Sequence, residues 1–200
     1  MHKFFSFLSS FIFLISISFN SYSDNQLNSL NSKFAKYKSD PKVRSAKAMV
    51  VNQNNGKVIY QKNAYSEASI ASLTKLMTAM VIIDSKIDLN KKIKITKQDI
   101  DRLKGTGSRI PIGSLITGHD LLKISLMSSD NRAASALSRA YPSGKKGFIK
   151  AMNIKALKLG MHNSKFADST GLNKRNKSTA RDLVRMVEAA YQYPKIRKIT

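Results

Sequence analysis

The 200 residues contain no cysteine and no tryptophan. Without cysteine there is no disulfide and no lipid-modified cysteine. With only three histidines there is also no Cys/His cluster to hold zinc. Acid is the next scarcity: 12 Asp and Glu stand against 35 Lys and Arg, a formal charge of +23. Such an excess first suggests nucleic acid. The basic residues, however, are spread along the whole chain and Lys heavily outnumbers Arg. That pattern is a solvated Lys-rich surface, suited to an anionic envelope polymer or to peripheral contact with a lipid face. No nucleic-acid partner is expected.

Long apolar runs are also scarce. The stretch Phe4–Phe19 is diluted by serines and is short for a membrane span. His2 and Lys3 precede it, and Ser21-Tyr22-Ser23 puts small residues at the two positions a signal peptidase reads. Residues 1–23 are therefore expected to be a secretory signal cut before Asp24, rather than a retained anchor. Export removes most nucleic-acid partners, and an exported chain without disulfides fits a bacterial periplasm.

The length suits one domain with a real core. Residues 24–45 are polar, rich in Asn, Ser and Lys, and without period, which reads as a leader. Residues 46–200 read as the domain. Two β-prone runs around 47–52 and 57–62 flank Asn55-Gly56, a strong hairpin signal. In "ASLTKLMTAMVIIDSK" Leu73, Leu76, Met77, Met80 and Ile83 fall at helical spacing. Val81 and Ile82 widen that face, so the helix is expected to be buried on most sides. "IKITKQDI" alternates like a short strand. "KGTGSRIPIGS" is a Gly/Pro loop. Helices are expected over "TGHDLLKISLM", "RAASALSRAY", "GFIKAMNIKALKLGM" and "TARDLVRMVEAAYQ". Thr117/Asp120 and Thr179/Asp182 are spaced as capping boxes, and Pro194 is read as a stop. "HNSKFADSTGLNKRNKS" reads as a loop.

Lys75 is the residue out of place, near the start of an almost wholly apolar helix. Burying an ammonium costs several kcal/mol, on the order of a lost ion pair, unless it is paired. Desolvation favours the neutral amine instead. Ser72 lies three residues earlier on the same face. A neutral amine beside a hydroxyl can take its proton and release a nucleophile. Backbone N–H groups at the helix start suit a developing oxyanion. The bland alternative is a lysine that snorkels to water. Ser129-Asp130-Asn131, at the break between two helices, adds a second constellation. Ser129 could pass a proton to a leaving amine, and the Asn131 amide could donate to and accept from a peptide. A helix cap would use the same residues.

S-x-x-K followed by S-D-N is the motif pair of penicillin-binding proteins and class A β-lactamases. Together with "SIASLTKLMTA", "LMSSDNRAASALS", "FIKAMNIKALKLGM", "FADSTGL" and "STARDL", it makes the chain resemble a low-molecular-mass penicillin-binding protein of the D-alanyl-D-alanine carboxypeptidase/endopeptidase family. "LKGTGSRI" resembles the D,D-endopeptidase branch of the penicillin-binding-protein-7 type. The resemblance implies an α/β, transpeptidase-like fold with a helical body and an antiparallel sheet. It implies a serine peptidase acting on peptidoglycan peptides, inhibited covalently by β-lactams, without metal or organic cofactor. In that reading Ser72 is the nucleophile, Lys75 its base, Ser129 the proton relay and Asn131 the substrate-orienting amide.

The family's third motif, K-T-G, lies on a strand C-terminal to "STARDL", and the chain stops at Thr200 before it. Lys104–Gly107 reads "KGTG", but it precedes the S-x-N motif and is taken as a loop. It fits no phosphate-loop pattern. The expectation is a truncated member with an incomplete sheet, its C-terminal strands absent, and with low activity. An inactive peptidoglycan-binding remnant and a β-lactamase relative are the alternatives. No E-x-x-L-N stretch supports the second.

Overall fold

The apolar stretch after Ser72 becomes helix α1, Thr74–Asp84. Met77, Ala79, Met80, Val81 and Ile82 are all buried, as are Thr74, Lys75 and Thr78. A helix buried on so many sides must be surrounded. Its neighbours are α2 (Gly118–Met127), α3 (Asn131–Arg139), α4 (Gly144–Lys158) and α5 (Ala180–Tyr191). The core they enclose includes Leu121, Leu122, Leu137, Phe148, Met152 and Met186. Truncating a side chain such as Met80 to Ala there costs about 2–5 kcal/mol.

This computed structural model describes residues 42–200. Ser45–Thr200 make one compact unit. The signal segment at 1–23, and the leader at 24–45 apart from its last four residues, lie outside the described residues.

Capping chemistry sets where the helices begin. The Thr117 hydroxyl accepts the Asp120 N–H at the start of α2, and Thr179 accepts the Asp182 N–H at the start of α5. Thr117 also donates to the Asp120 carboxylate at 2.6 Å. Asp182 does not bond back to its cap. It accepts from Asn163 N, the Ser164 hydroxyl and Arg185, tying the loop after α4 to α5. Pro194 does more than stop α5: it sits at the first position of α6, Pro194–Ile199, where its missing N–H costs nothing.

The β-structure is antiparallel and divided into three two-stranded ladders among the described residues. The hairpin pairs β1 (Ala48–Val51) with β2 (Val58–Lys62), and Gly56 takes φ +68° in its turn. β1 packs against α5. β3 (Ala68–Ser69) pairs with β6 (Lys177–Ser178), so two remote loops meet immediately before Ser72. β4 (Lys92–Lys94) pairs with β5 (Leu115–Thr117). The alternation in "IKITKQDI" therefore extends too far as a strand reading. Thr96 caps a 3-10 turn at Lys97–Asp99, with Asp99 returning the bond, and this local capping outcompetes strand continuation. The Asp99 carboxylate is buried and accepts from Arg139 at 2.8 Å and from the Ser135 hydroxyl at 3.1 Å. Burial alone would raise its pKa. The Arg139 and Thr96 hydrogen bonds outweigh burial and hold the carboxyl below its usual value.

Candidate active site

Ser72 lies on a 3-10 turn, Ala71–Leu73, that leads into α1. Ala71 has φ +45°, a left-handed conformation unusual for a residue with a Cβ. The reversal lifts Ser72 to the surface while the next turn dives inward. Lys75 is only 2% exposed. Its Nζ donates to Thr170 O at 2.9 Å and lies 2.7 Å from Asn131 Oδ1 and 3.0 Å from Ser72 Oγ. The lysine therefore does not snorkel to water. Burial pushes its pKa down from 10.5 to about 8, with the carboxylates of Asp168 and Asp130 pulling the other way.

The N–H groups at this helix start are mostly spent. Leu73 N donates to Ile70 O, and Thr74 N bonds back to Ala71 and Ser72 carbonyls. The Ser72 N–H makes no hydrogen bond among the described residues, so it is the free donor beside the hydroxyl. The helix start as a whole is thus not available to an oxyanion, because the Leu73 and Thr74 N–H groups are already bonded.

Asn131 is the first residue of α3, and Asp130 caps the helix by accepting the Ala133 N–H at 2.8 Å. The structure thus brings Asn131 onto Lys75. Ser129 precedes this cap at φ +53° and is exposed. Its hydroxyl makes no hydrogen bond among the described residues, so no hydrogen bond joins it to the Ser72–Lys75–Asn131 cluster.

Several residues complete the cluster that the sequence reading did not single out. The loop after α4 wraps under α1. Thr78 donates to Ser169 O at 2.8 Å, and Lys75 reaches Thr170 O. The Asp168 carboxylate shapes that loop by accepting N–H groups from Thr170, Gly171 and Asn173 at 2.6–2.8 Å. Asn176 is fully buried. It accepts from Ala167 N and Asp168 N and donates to Thr74 Oγ1 at 2.9 Å. Gly171 backs onto the Ser72 turn so closely that a Cβ there would lie 1.8 Å from Ala71 O. On the other side, Thr106 of the "KGTG" loop accepts from Asn131 Nδ2 at 2.9 Å. That segment is a loop, as read, yet it reaches the site. The sequence signal for these residues was "FADSTGL" and "KGTG", visible as motifs but without a partner until the fold is known. A cavity of about 270 Å³, lined in part by Asp101, Leu103, Asn131, Thr170 and Leu172, adjoins the cluster.

Residues 34–200 match the family of peptidase S11, D-alanyl-D-alanine carboxypeptidase. The chain belongs to that family. This D-alanyl-D-alanine carboxypeptidase family member is 49% identical over 150 residues to a D-alanyl-D-alanine endopeptidase of Pseudomonas aeruginosa, covering 75% of this chain and 48% of the relative. It is 46% identical over 162 residues to a D-alanyl-D-alanine endopeptidase of Escherichia coli, covering 81% and 52%. The Streptomyces K15 DD-transpeptidase superposes with a TM-score of 0.75 at 31% identity, over 80% of this chain and 66% of that one. The family member has the α/β transpeptidase-like fold expected from its motifs. It spans about half the length of the curated relatives it matches.

Proposed function

We propose that this protein is, or forms part of, a serine D,D-peptidase of the bacterial periplasm. Its substrate is the D-alanyl bond of peptidoglycan peptides, and D,D-endopeptidase action is favoured by the endopeptidase relatives. The observation that carries this reading is the buried amine of Lys75, 3.0 Å from the exposed Ser72 hydroxyl. Ser72 Oγ attacks the D-alanine carbonyl while its proton passes to Lys75 Nζ. The Ser72 N–H faces the oxygen on which charge develops. As the C–N bond breaks, the leaving amine takes a proton, for which Ser129 is the proposed relay, while Asn131 orients the peptide. Water then cleaves the acyl ester and regenerates Ser72. β-Lactams acylate Ser72 by the same first step.

The test is labelling with a fluorescent penicillin, read on a denaturing gel, for the protein and Ser72→Ala. Circular dichroism melts check that both are folded. A covalent band that disappears in the variant is expected. A folded protein with no band would leave a peptidoglycan-binding remnant, and rapid nitrocefin turnover would indicate a β-lactamase.

A further inference from the structure

The "KGTG" loop does chemical work at the site that the reaction outlined above leaves unassigned. Its anchor is Asp101. That carboxylate accepts the N–H groups of Leu103 at 2.7 Å, Lys104 at 3.1 Å and Thr106 at 2.9 Å, and the Thr106 hydroxyl at 2.7 Å. Burial is the largest single influence and opposes ionisation, but the four hydrogen bonds together outweigh it and hold the carboxyl at about 2, so it is ionised at any working pH.

An ionised carboxylate only accepts. The single proton of the Thr106 hydroxyl must therefore point at Asp101. What Thr106 Oγ1 offers Asn131, 2.9 Å away, is a lone pair. The Asn131 atom facing it must be a donor, which is the amide nitrogen. The amide oxygen is then forced to the other side, 2.7 Å from Lys75 Nζ. Thr170 O, at 2.9 Å, is the second acceptor around that nitrogen. A neutral amine has two hydrogens and one lone pair. With both hydrogens drawn to fixed acceptors, the lone pair is left for the third neighbour, the Ser72 hydroxyl at 3.0 Å. The opposite amide orientation would put an N–H donor against Lys75. The lone pair would then be occupied and Ser72 would lose its base. An amide's two ends are nearly equal in size, so packing alone distinguishes them poorly. A directional chain starting at a charge distinguishes them well.

We propose that Thr106, held by Asp101, is a positioning residue: it locks the Asn131 amide with its oxygen toward Lys75 and so aims the Lys75 lone pair at Ser72. The inference rests on Lys75 acting as the base of the proposed reaction, but the amide orientation itself does not.

The test compares the protein with Thr106→Val, which keeps the shape and removes the hydroxyl, and Thr106→Ser, which keeps it. Two quantities are read. The first is the titration of Lys75 by NMR of ¹³C,¹⁵N-lysine-labelled protein, assigned with Lys75→Arg. Asp168 and Asp130, the carboxylates that act on Lys75, are unchanged in every sample. In Thr106→Val the amide is free to turn and donate to the neutral amine, so the Lys75 midpoint falls. In Thr106→Ser it returns to the parent value. The second is acylation by fluorescent penicillin, split into pre-covalent affinity and limiting rate. The limiting rate falls about tenfold in Thr106→Val, the scale of one hydrogen bond, while affinity holds. A folded Thr106→Val with an unchanged Lys75 midpoint overturns the proposal, whatever its acylation rate. A midpoint that moves as expected in a protein that penicillin never labels upholds the orientation and sinks the peptidase reading.

Discussion

An amine whose proton leaves near pH 8 rather than 10.5 is a usable base around neutrality. Only the neutral form of Lys75 can accept the Ser72 proton. Below pH 8 each unit of acidification removes about nine-tenths of that form, so the acylation rate is expected to rise about tenfold per pH unit up to about 8 and then level off. Stopped-flow penicillin acylation between pH 5.5 and 9.5 measures this, and a flat profile below 8 would remove Lys75 as the titrating base. The direction follows from burial, which outweighs the opposing pull of Asp168 and Asp130. The closeness of Ser72 and Lys75 was legible because three residues of helical chain put both on one face. The addition of Asn131 was legible only through the motif pair. Thr170 and Thr106 were not legible. The first contributes a backbone carbonyl, which no side-chain pattern encodes. The second meets Asn131 across 25 residues of chain through a loop without periodicity.

Two elements must fit back to back for the Ser72 turn to exist. The 3-10 turn carries Ala71 at φ +45°, and the Asp168-shaped loop carries Gly171 at φ +87° against it. The glycine is required twice over, by its backbone angle and by the 1.8 Å that a Cβ would leave to Ala71 O. Gly171→Ala is therefore expected to cost about 1–3 kcal/mol from overpacking, with left-handed strain added. Because the displaced neighbour is the nucleophile's own turn, penicillin acylation should fall by more than about a hundredfold, out of proportion to the melting temperature. Gly107→Ala, with nothing within 4 Å of its would-be Cβ, serves as the control and should melt within about 0.5 kcal/mol of the parent. A Gly171→Ala protein that is acylated at the parent rate would show that the two loops can part without harm. The same pair of elements marks the boundary of what the sequence could reveal. Helices α1 to α5 announced themselves by period, and α2 and α5 also by their threonine caps. β3 and β6 are two residues each and pair Ala68 with Ser178, a contact that leaves no local pattern in either loop. β4 and β5 are three residues each, and the capping threonine between β4 and the following turn disguised where the strand ends.

At the scale of the whole molecule the shortage of acid returns as an energetic term. The ion pairs among the described residues fall on Asp84, Asp99 and Asp182, with Arg139 and Lys145 sharing Asp99, Lys155 on Asp84 and Arg185 on Asp182. Asp99 and Asp182 are buried, so these pairs serve internal ties between elements rather than neutralising the surface. With 35 basic residues against 12 acidic ones, the chain keeps a large uncompensated positive charge. Folding concentrates it, and the repulsion destabilises the compact state. Salt shortens the reach of that repulsion from about 30 Å at 0.01 M to about 8 Å at 0.15 M, while buried pairs are screened much less. The net effect of added NaCl is therefore stabilising. Raising it from 10 to 300 mM (about a fivefold cut in screening length) is expected to lift the melting temperature by about 2–4 °C, equivalent to about 1 kcal/mol in a chain this size. A melt followed by circular dichroism over that range measures it. A falling melting temperature would mean that the Asp84, Asp99 and Asp182 pairs, not the unpaired lysines, set the electrostatic balance. A rise would carry a functional consequence. The same unscreened charge is then free to hold the protein on an anionic polymer or lipid face, and pelleting of Ser72→Ala with isolated sacculi should weaken over the salt range that stabilises the fold.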